Sequence, residues 1–231
     1  MIIILKLYFD SLPSTNTYAK ENISALSLPS LIIANEQTAG RGRRGNSFFS
    51  PKDTGLYMSL VFEEKGNSDL LTPTAAVAVC EALIDMGIDP KIKWVNDIFL
   101  SGKKVCGILA ERYIANKKSY IILGIGINIS TCIFPDELKS AGSINIECDK
   151  EKLAEDISAR ILGYVEKSNA DDIILKYRSR LFVIGKEVGY LKNNVEYKGV
   201  VKDINSQCNL VITLPDGNED ILSSGEISII L

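Results

Sequence analysis

The chain has 231 residues, of which 46% are hydrophobic and 24% are charged, and its formal net charge is −3. This balance is typical of soluble globular proteins and excludes a disordered or collagen-like chain. A net negative charge argues against a surface devoted to nucleic acid. The sequence contains no histidine, which excludes Ser-His-Asp and Cys-His nucleophiles and histidine metal ligands.

The cysteines and the apolar segments indicate a cytoplasmic protein. Five cysteines occur without a CxxC pair, so we expect free thiols in a reducing compartment. The start, MIIILKLYF, has no basic flank and runs directly into polar residues, which predicts a strand over residues 2–9 and not a signal peptide. No apolar run is long enough to span a membrane, and we expect no membrane association.

The order of the predicted elements indicates an α+β fold. Apolar spacing predicts a helix from Ser14, and Pro73 and Gly87 mark the two ends of a second helix. Strands are predicted over 31–34, 56–62, 91–94, 98–100, 105–112 and 119–127, a long loop over 35–55, and helices over 72–86, 150–167 and 171–181. Because several strands follow one another without a helix between them, we expect a central mixed sheet with helices on one face.

The pattern changes after Leu181. Short apolar runs alternate with turn signals at Gly185, Asn193-Asn194, Asp203 and Asp216-Gly217, which predicts a small β-barrel of about 50 residues. We therefore divide the chain into domains over residues 1–182 and 183–231. From residue 203 onward the chain has five acids and no Lys or Arg, which indicates a solvated acidic face.

Residues 36–51, EQTAGRGRRGNSFFSP, form the most informative segment. Gly40, Gly42 and Gly45 match the dinucleotide pattern GxGxxG, but the polar residues and the proline that follow prevent the helix that this pattern requires. Arginines stand between these glycines, at Arg41, Arg43 and Arg44. Because guanidinium groups and loop amides bind anions, this segment favours an anionic ligand over a solvated basic loop.

Three further segments are ambiguous when each is taken alone. Lys93, Asn96, Asp97 and Lys104 suit a magnesium nucleotide, but the same residues also suit a plain turn and hairpin. In GIGIN, residues 124–128, the glycines indicate a strand bulge or a close approach by a ligand, and the bulge is the simpler interpretation. In SLPSTN, residues 11–16, the polar side chains cap a helix or bind a polar ligand, and the cap is the simpler one.

Together the segments resemble the biotin protein ligase family, biotin–[acetyl-CoA-carboxylase] ligase. Four motifs carry the resemblance: STN at 14–16, EQTAGRGRRG at 36–45 with FSP at 49–51, KWVND…KKVCGIL at 93–109 and GIGIN at 124–128. The likeness is dense over residues 5–130 and extends loosely to the terminal barrel, which resembles the family's SH3-like domain. It implies the class II synthetase-like catalytic fold. Because STN begins at residue 14, it also implies a catalytic-only enzyme without the DNA-binding domain of the family's repressors.

The resemblance implies a two-step reaction that needs no enzyme nucleophile. The biotin carboxylate attacks the α-phosphate of ATP, with Mg²⁺ present, to give biotinyl-5′-AMP and pyrophosphate. A lysine of a biotin carboxyl carrier protein, from acetyl-CoA carboxylase or another biotin-dependent carboxylase, then attacks the mixed anhydride. Catalysis of this kind depends on positioning and on neutralising charge.

The resemblance also implies roles for individual residues. The catalytic residues are Lys104, Arg41 and Arg43, and the candidate magnesium ligand is Asp97. Biotin would contact Ser14, Thr15, Asn16, Gln37, Arg41, Gly42, Arg43, Tyr57, Lys104, Gly107 and Leu109. ATP would contact Arg41, Arg44, Phe48, Lys93, Trp94, Asn96, Asp97, Lys104, Gly124, Gly126 and Asn128. Three positions depart from the family pattern, which has proline at Val95, often tryptophan at Phe48 and often arginine near Ile230.

Three alternatives stay open. A lipoate protein ligase shares the fold and the adenylate chemistry but selects another ring. A nucleic-acid binder would use the arginine loop and the barrel, although the barrel's second half is acidic. A third alternative holds biotin without turning over ATP. We also expect a possible homodimer through exposed edge strands near residues 105–125.

Overall fold

A computed structural model describes residues 3–64, 69–167, 169–192, 195–225 and 227–230 of the chain. Its strands are β1 (Leu5–Phe9), β2 (Ser30–Ala34), β3 (Gly55–Glu63), β4 (Lys91–Lys93), β5 (Asp97–Leu100), β6 (Lys103–Ala115), β7 (Lys118–Asn128), β8 (Glu187–Lys192), β9 (Val195–Ile204), β10 (Leu210–Thr213), β11 (Glu219–Leu222) and β12 (Ile227–Ile229). Its helices are α1 (Thr15–Asn22), α2 (Leu71–Asp85), α3 (Lys150–Lys167) and α4 (Ala170–Arg180). Two parts of the predictions lie outside the described residues: Ile2 of the first strand and the Asn193-Asn194 turn.

The central sheet has seven strands in the order β1-β2-β3-β7-β6-β5-β4. Strands β1 and β2 are parallel and the other pairs are antiparallel, which confirms the predicted mixed sheet. Strand β7 lies inside the sheet, contrary to the expected edge. Strand β6 pairs with β5 only up to Gly107, because β5 is short. Residues 109–115 therefore have no strand on that side within the described ranges.

The two faces of this sheet carry separate apolar clusters. Leu31 packs with α2, α3 and α4 in the larger cluster, whereas the adjacent Ile32 packs with Ala19 of α1 and with Ile23, which follows this helix. Successive side chains of a strand point to opposite faces, so α1 lies on the opposite face from the other three helices. The expectation of helices on one face therefore holds for α2, α3 and α4 and is corrected for α1. The apolar stripe of α1 requires its own apolar partner, which the reverse face supplies.

The second sheet has five antiparallel strands in the order β11-β10-β9-β8-β12. Its edge strands, β11 and β12, each pair on one side, so the predicted barrel is an open sheet in the described part of the chain.

The two sheets share the larger apolar cluster and are joined by hydrogen bonds. The Trp94 indole N–H donates to the Cys208 carbonyl at 2.8 Å, and the Phe182 amide donates to the Ile92 carbonyl at 3.2 Å. These contacts fix the five-stranded sheet beside the strands that carry the KWVND motif. None of the helices that the structure describes is long and apolar enough to cross a membrane.

Candidate active site

A cleft of about 440 Å³ opens over strands β6 and β7, next to the start of α1. It brings together every predicted site residue except Tyr57. The predicted residues on its wall are Ser14, Thr15, Asn16, Gln37, Arg41, Gly42, Arg43, Arg44, Phe48, Lys93, Trp94, Asn96, Asp97, Lys104, Gly107, Leu109, Gly124, Gly126 and Asn128. These residues come from segments far apart in the sequence, so the fold makes one site of the four motifs.

Glycines form the floor of the cleft. Gly107 of β6 pairs with Gly126 of β7, and Leu109 pairs with Gly124. A methyl group at Gly126 would overlap the ring of Phe48, and one at Gly124 would overlap the amide of Asn16. The register of β3 with β7 is continuous through both glycines, so no bulge is present here. The glycines allow the side chains of Phe48 and Asn16 to approach the sheet closely. The bulge interpretation of GIGIN is therefore wrong.

The polar residues at the start of α1 form a buried network on this floor. Ser14 is the N-cap of the helix and accepts from the Thr17 amide at 3.4 Å, as the cap interpretation predicts. Ser59 of β3, which is fully buried, donates to Asn16 Oδ1 at 2.5 Å, and its hydroxyl lies 2.7 Å from the Thr15 hydroxyl. Gln37 accepts from the Thr15 amide at 2.9 Å. The network therefore fixes the side chains predicted to meet a polar ligand head.

The arginine loop forms the opposite wall. Arg43–Gly45 is a short 3₁₀ turn, with Arg44 and Gly45 at positive φ of 55° and 82°. No helix follows it, which confirms that this is not the dinucleotide motif. Arg43 Nη1 donates to Asn96 Oδ1 at 3.2 Å, and Arg41 lies 3.5 Å from Glu111. All three arginines line the cleft, so the loop supplies its positive charge.

Strands β5 and β6 add a second group of charges. Lys104 Nζ lies 2.6 Å from Asp97 Oδ1, and both side chains are half-buried. Asn96 donates to the Ile108 carbonyl at 2.9 Å, which fastens the turn before β5 to β6. Lys93 stands over the ring of Phe99 with its Nζ 6.0 Å from the ring centroid. These residues place two cations and one carboxylate beside the arginine loop.

Two aromatic residues behave differently from one another. Phe48 lies on the glycine floor and meets Tyr57 edge to face, with 6.5 Å between ring centroids. Tyr57 is fully buried, its hydroxyl donates to the Pro51 carbonyl at 3.0 Å, and it does not line the cleft. The predicted role of Tyr57 as an apolar wall is corrected, because its ring turns over Gly55, which has no side chain. Burial raises the pKa of Tyr57.

Sequence reasoning missed several residues in or next to the cleft wall. Ser59 and Glu111 lie behind the wall. Each is a polar residue within an apolar strand, and this pattern could have identified them. Gly225, Ile227 and Ser228 bring the five-stranded sheet to the cleft, and no motif marks them. The small sheet therefore contributes to the site even though the family's arginine is absent near Ile230.

Comparison with known proteins identifies the class. The model of the Biotin/lipoate A/B protein ligase family matches residues 8–128, more than half of the chain. The model of the Biotin protein ligase C terminal domain matches residues 183–229. The chain therefore belongs to the Biotin/lipoate A/B protein ligase family.

The relatives narrow this to the biotin branch. The chain is 32% identical to the "Bifunctional ligase/repressor BirA" of Bacillus subtilis, over 94% of this chain and 72% of that protein. It is 26% identical to the "Biotin--[acetyl-CoA-carboxylase] ligase" of Mycobacterium tuberculosis, over 85% of this chain and 77% of that protein. The biotin protein ligase of Aquifex aeolicus, solved with biotin and ATP, superposes with a TM-score of 0.84 at 27% identity, covering 98% of each chain.

Proposed function

We propose that this chain is a biotin protein ligase that activates biotin with ATP and transfers it to a lysine of a carrier protein. The observation that carries this proposal is the convergence of four motif segments on one cleft that has a glycine floor and a wall of arginines and lysines. The likeness to the Aquifex ligase bound to biotin and ATP supports it.

The cleft offers a separate environment to each part of biotin. We place the bicyclic head against Asn16 and Phe48, which lie on Gly124 and Gly126. There the network of Thr15, Asn16 and Gln37 supplies donors and acceptors to a ureido group. The carboxylate would then point toward the arginine loop and Lys104. The glycines suit this arrangement, because they let the Asn16 amide and the Phe48 ring lie deep against the sheet at the bottom of the cleft.

The first step joins two anions, which is why the cations matter. An oxygen of the biotin carboxylate attacks the α-phosphorus of ATP, the bond to the bridging oxygen breaks, and pyrophosphate leaves. Arg41, Arg43 and Lys104 offset the repulsion between carboxylate and phosphate and stabilise the charge that develops. Closure of the loop over the product would exclude water from the mixed anhydride.

In the second step the amine nitrogen of a carrier lysine attacks the acyl carbon of biotinyl-AMP. The C–O bond to the phosphate breaks, AMP leaves with the electron pair, and an amide forms after loss of a proton. Attack needs the carrier lysine in its neutral form. The positive charge of the cleft wall disfavours the protonated form of this lysine. We propose a biotin carboxyl carrier protein as the acceptor.

Magnesium belongs to the proposal as a companion of ATP. Mg²⁺ is usually held by one or two carboxylates together with substrate phosphates and water, and the part of the chain that the structure describes has no cluster of three or more His, Cys, Asp or Glu that would hold a metal by itself. Asp97 lines the cleft beside Lys104, so one carboxylate and the triphosphate fit the ion. When bound, Mg²⁺ supplies neutralising charge to the triphosphate.

The test is biotin-dependent release of pyrophosphate from ATP, with biotinyl-AMP identified by mass and lipoate run in parallel. Lys104→Ala should lower the rate by about 100-fold to 1000-fold, the usual effect of removing a preorganised transition-state contact. Lys103→Ala is the matched control, because Lys103 is the adjacent residue of β6 but points to the Lys139 carbonyl at 2.8 Å. An adenylate with lipoate and none with biotin would overturn the biotin assignment.

Two further parts of the proposal concern assembly and organisation. We propose a homodimer through the part of β6 beyond Gly107, where backbone groups lack a strand partner in the described structure and Ile114 is 70% exposed. Light scattering at several concentrations tests it, and a monomer at every concentration would contradict it. The domain division at residues 182 and 183, the cytoplasmic location and the expectation of no DNA binding stay predictions.

A further inference from the structure

One carboxylate stands just behind the cationic wall. Glu111 follows Leu109 by two residues on β6, so both side chains face the same side of the sheet. Its side chain is 18% exposed. It lies where the glycine floor meets the first arginine of the loop.

Glu111 holds three donors from two parts of the site. Its Oε2 accepts from Asn16 Nδ2 at 2.9 Å, and its Oε1 accepts from Lys20 Nζ at 2.7 Å. Arg41 Nη2 lies 3.5 Å from the same Oε1. One acid therefore contacts both the polar residue over Gly124 and the cation at the start of the loop.

The contact fixes which way the Asn16 amide points. Its nitrogen donates to Glu111, and its oxygen lies 2.5 Å from the buried hydroxyl of Ser59. With both ends occupied, the amide cannot rotate without breaking one of these contacts. The orientation of Asn16 above the floor thus depends on Glu111.

Glu111 carries this role as an anion. Burial alone would raise the pKa of Glu111, but the hydrogen bonds from Lys20 and Asn16 and the charge of Arg41 outweigh it and lower that pKa below its usual value. The carboxylate is therefore ionised at neutral pH, and its charge opposes departure of Arg41 from the cleft.

We propose that Glu111 is a positioning residue that couples the two halves of the site by orienting Asn16 on the floor and restraining Arg41 in the loop. The proposal rests on the proposed function, because it assigns Asn16 and Arg41 to biotin. Glu111 does not line the cleft, and it acts on the reaction through these two residues.

The first experiment separates binding from chemistry. Glu111→Gln keeps the size of the side chain but removes its charge, and we expect the KM for biotin to rise by about tenfold or more, as for loss of a charged hydrogen-bond partner. We expect kcat to fall by a smaller factor than the KM rises, because Glu111 touches no reacting atom and acts on the rate only through Arg41. Glu111→Asp, which keeps the charge, should recover part of the loss.

The controls test whether the effect is merely structural. Glu63→Gln removes an exposed carboxylate from the far end of β3, where it pairs with Lys118 at 3.2 Å. Lys20→Met removes a partner of Glu111 that does not line the cleft. Glu63→Gln should keep the KM for biotin within about twofold of wild type, and Lys20→Met should raise it by less than Glu111→Gln does, because Asn16 and Arg41 keep their acceptor. An equal rise in Lys20→Met would overturn the proposal, because the ion pair alone would then explain the effect.

The second experiment does not depend on adenylation. Trypsin cleaves after arginine, and we expect Glu111→Gln to speed cleavage after Arg41 at least twofold over wild type, with no change in Glu63→Gln. Direct titration of biotin without ATP should show the same weakening as the KM. If wild type makes no biotinyl-AMP but these two readouts respond, the proposed function fails and the coupling stands. Unchanged cleavage and unchanged biotin affinity would overturn the coupling.

Discussion

The two walls of the cleft are built in different ways. The glycine floor lies within paired strands, and the polar residues on it, Thr15, Asn16 and Ser59, are all buried. The arginine loop is largely exposed and has no strand pairing in the described structure beyond isolated bridges. Turn bonds hold it: the Gly42 amide donates to the Asn46 carbonyl at 2.7 Å, and the Phe48 amide donates to the Gly40 carbonyl at 2.9 Å.

This difference suggests separate roles for the floor and the loop. Strand pairing and burial fix the shape of the floor before any ligand arrives, so the floor is suited to selecting a ring system. The charge lies mainly on the exposed loop, where an anion can order the arginine side chains as it binds. We therefore expect substitutions on the loop to lower the rate and substitutions on the floor to weaken binding and stability.

The largest expected effect is on the loop. Arg43→Ala removes a cation placed beside Asn96 and should lower kcat for adenylation by about 100-fold, with the KM for biotin within about threefold. Steady-state pyrophosphate release over a biotin series measures both values. Lys118→Ala, which removes an exposed cation away from the cleft, should leave both unchanged. A rise in the KM alone would show that Arg43 contributes to biotin binding, and it would contradict the assignment of binding to the floor and of rate to the loop.

The second effect is on the floor. Gly126→Ala places a methyl group against the ring of Phe48, so the ring must move, and overpacking of this kind costs about 1–3 kcal/mol of unfolding free energy. The KM for biotin should rise by about fivefold or more, because the displaced ring lies where we place biotin and about 1 kcal/mol of lost binding corresponds to that factor. Urea unfolding and adenylation kinetics measure the two changes.

Two companion variants sharpen the second prediction. Phe48→Ala combined with Gly126→Ala should restore part of the lost stability, because the clash is between these two groups. Gly163→Ala is the matched control, since Gly163 lies in α3 with open space around it, and there the change should be neutral or stabilising by about 0.5–1 kcal/mol. Equal losses in Gly126→Ala and Gly163→Ala would contradict the steric explanation.

The third effect concerns the buried network. Ser59→Ala removes a hydroxyl that contacts both Thr15 and Asn16 and should lower the unfolding free energy by about 1–3 kcal/mol, the cost of unpaired buried polar groups. Biotin affinity should fall with it. Ser179→Ala, at an exposed hydroxyl on α4, should cost less than about 0.5 kcal/mol. A loss of stability with unchanged biotin affinity would place Ser59 outside the binding role.

The sequence predicted the floor and the loop unequally well. The strands and the helix ends were predictable because they depend on local sequence: the spacing of apolar residues indicates the strands, and Pro73 and Gly87 mark the ends of α2. The glycines of GIGIN were seen, but their purpose was not, since the ring of Phe48 and the amide of Asn16 approach from segments far away in the chain. The role of Glu111 was missed for the same reason: it stands out as a polar residue within β6, but its three partners come from α1 and the loop.

The placement of α1 and Tyr57 shows the same limit. The sequence of an amphipathic helix shows that the helix has an apolar face. It does not show which face of the sheet the helix covers, because that depends on which strand residues the other helices leave exposed. A tyrosine in an apolar strand can point to a ligand or into the core, and the missing side chain of Gly55 decides this for Tyr57. The separate small sheet gave no motif at Gly225 or Ser228, so its part in the cleft emerged only from the fold.

The smallest expected effect tests whether the floor is rigid. Cys106 precedes Gly107 on β6 and is fully buried, and burial raises its pKa well above the usual value. Cys132 is exposed. Because the thiolate is the reactive form, a thiol reagent at neutral pH should label Cys132 within minutes and leave Cys106 unlabelled in the native protein, with or without biotin and ATP. Peptide mass analysis locates the label.

Cys80 provides an internal reference for this experiment. It is also buried, and burial raises its pKa to about 12, but it lies on α2, away from the cleft. Global unfolding exposes both thiols, so it labels Cys80 and Cys106 at the same rate. Faster labelling of Cys106 than of Cys80 would reveal local opening of β6. The floor would then move like the loop, and selection of the ring could no longer be assigned to a surface fixed before binding.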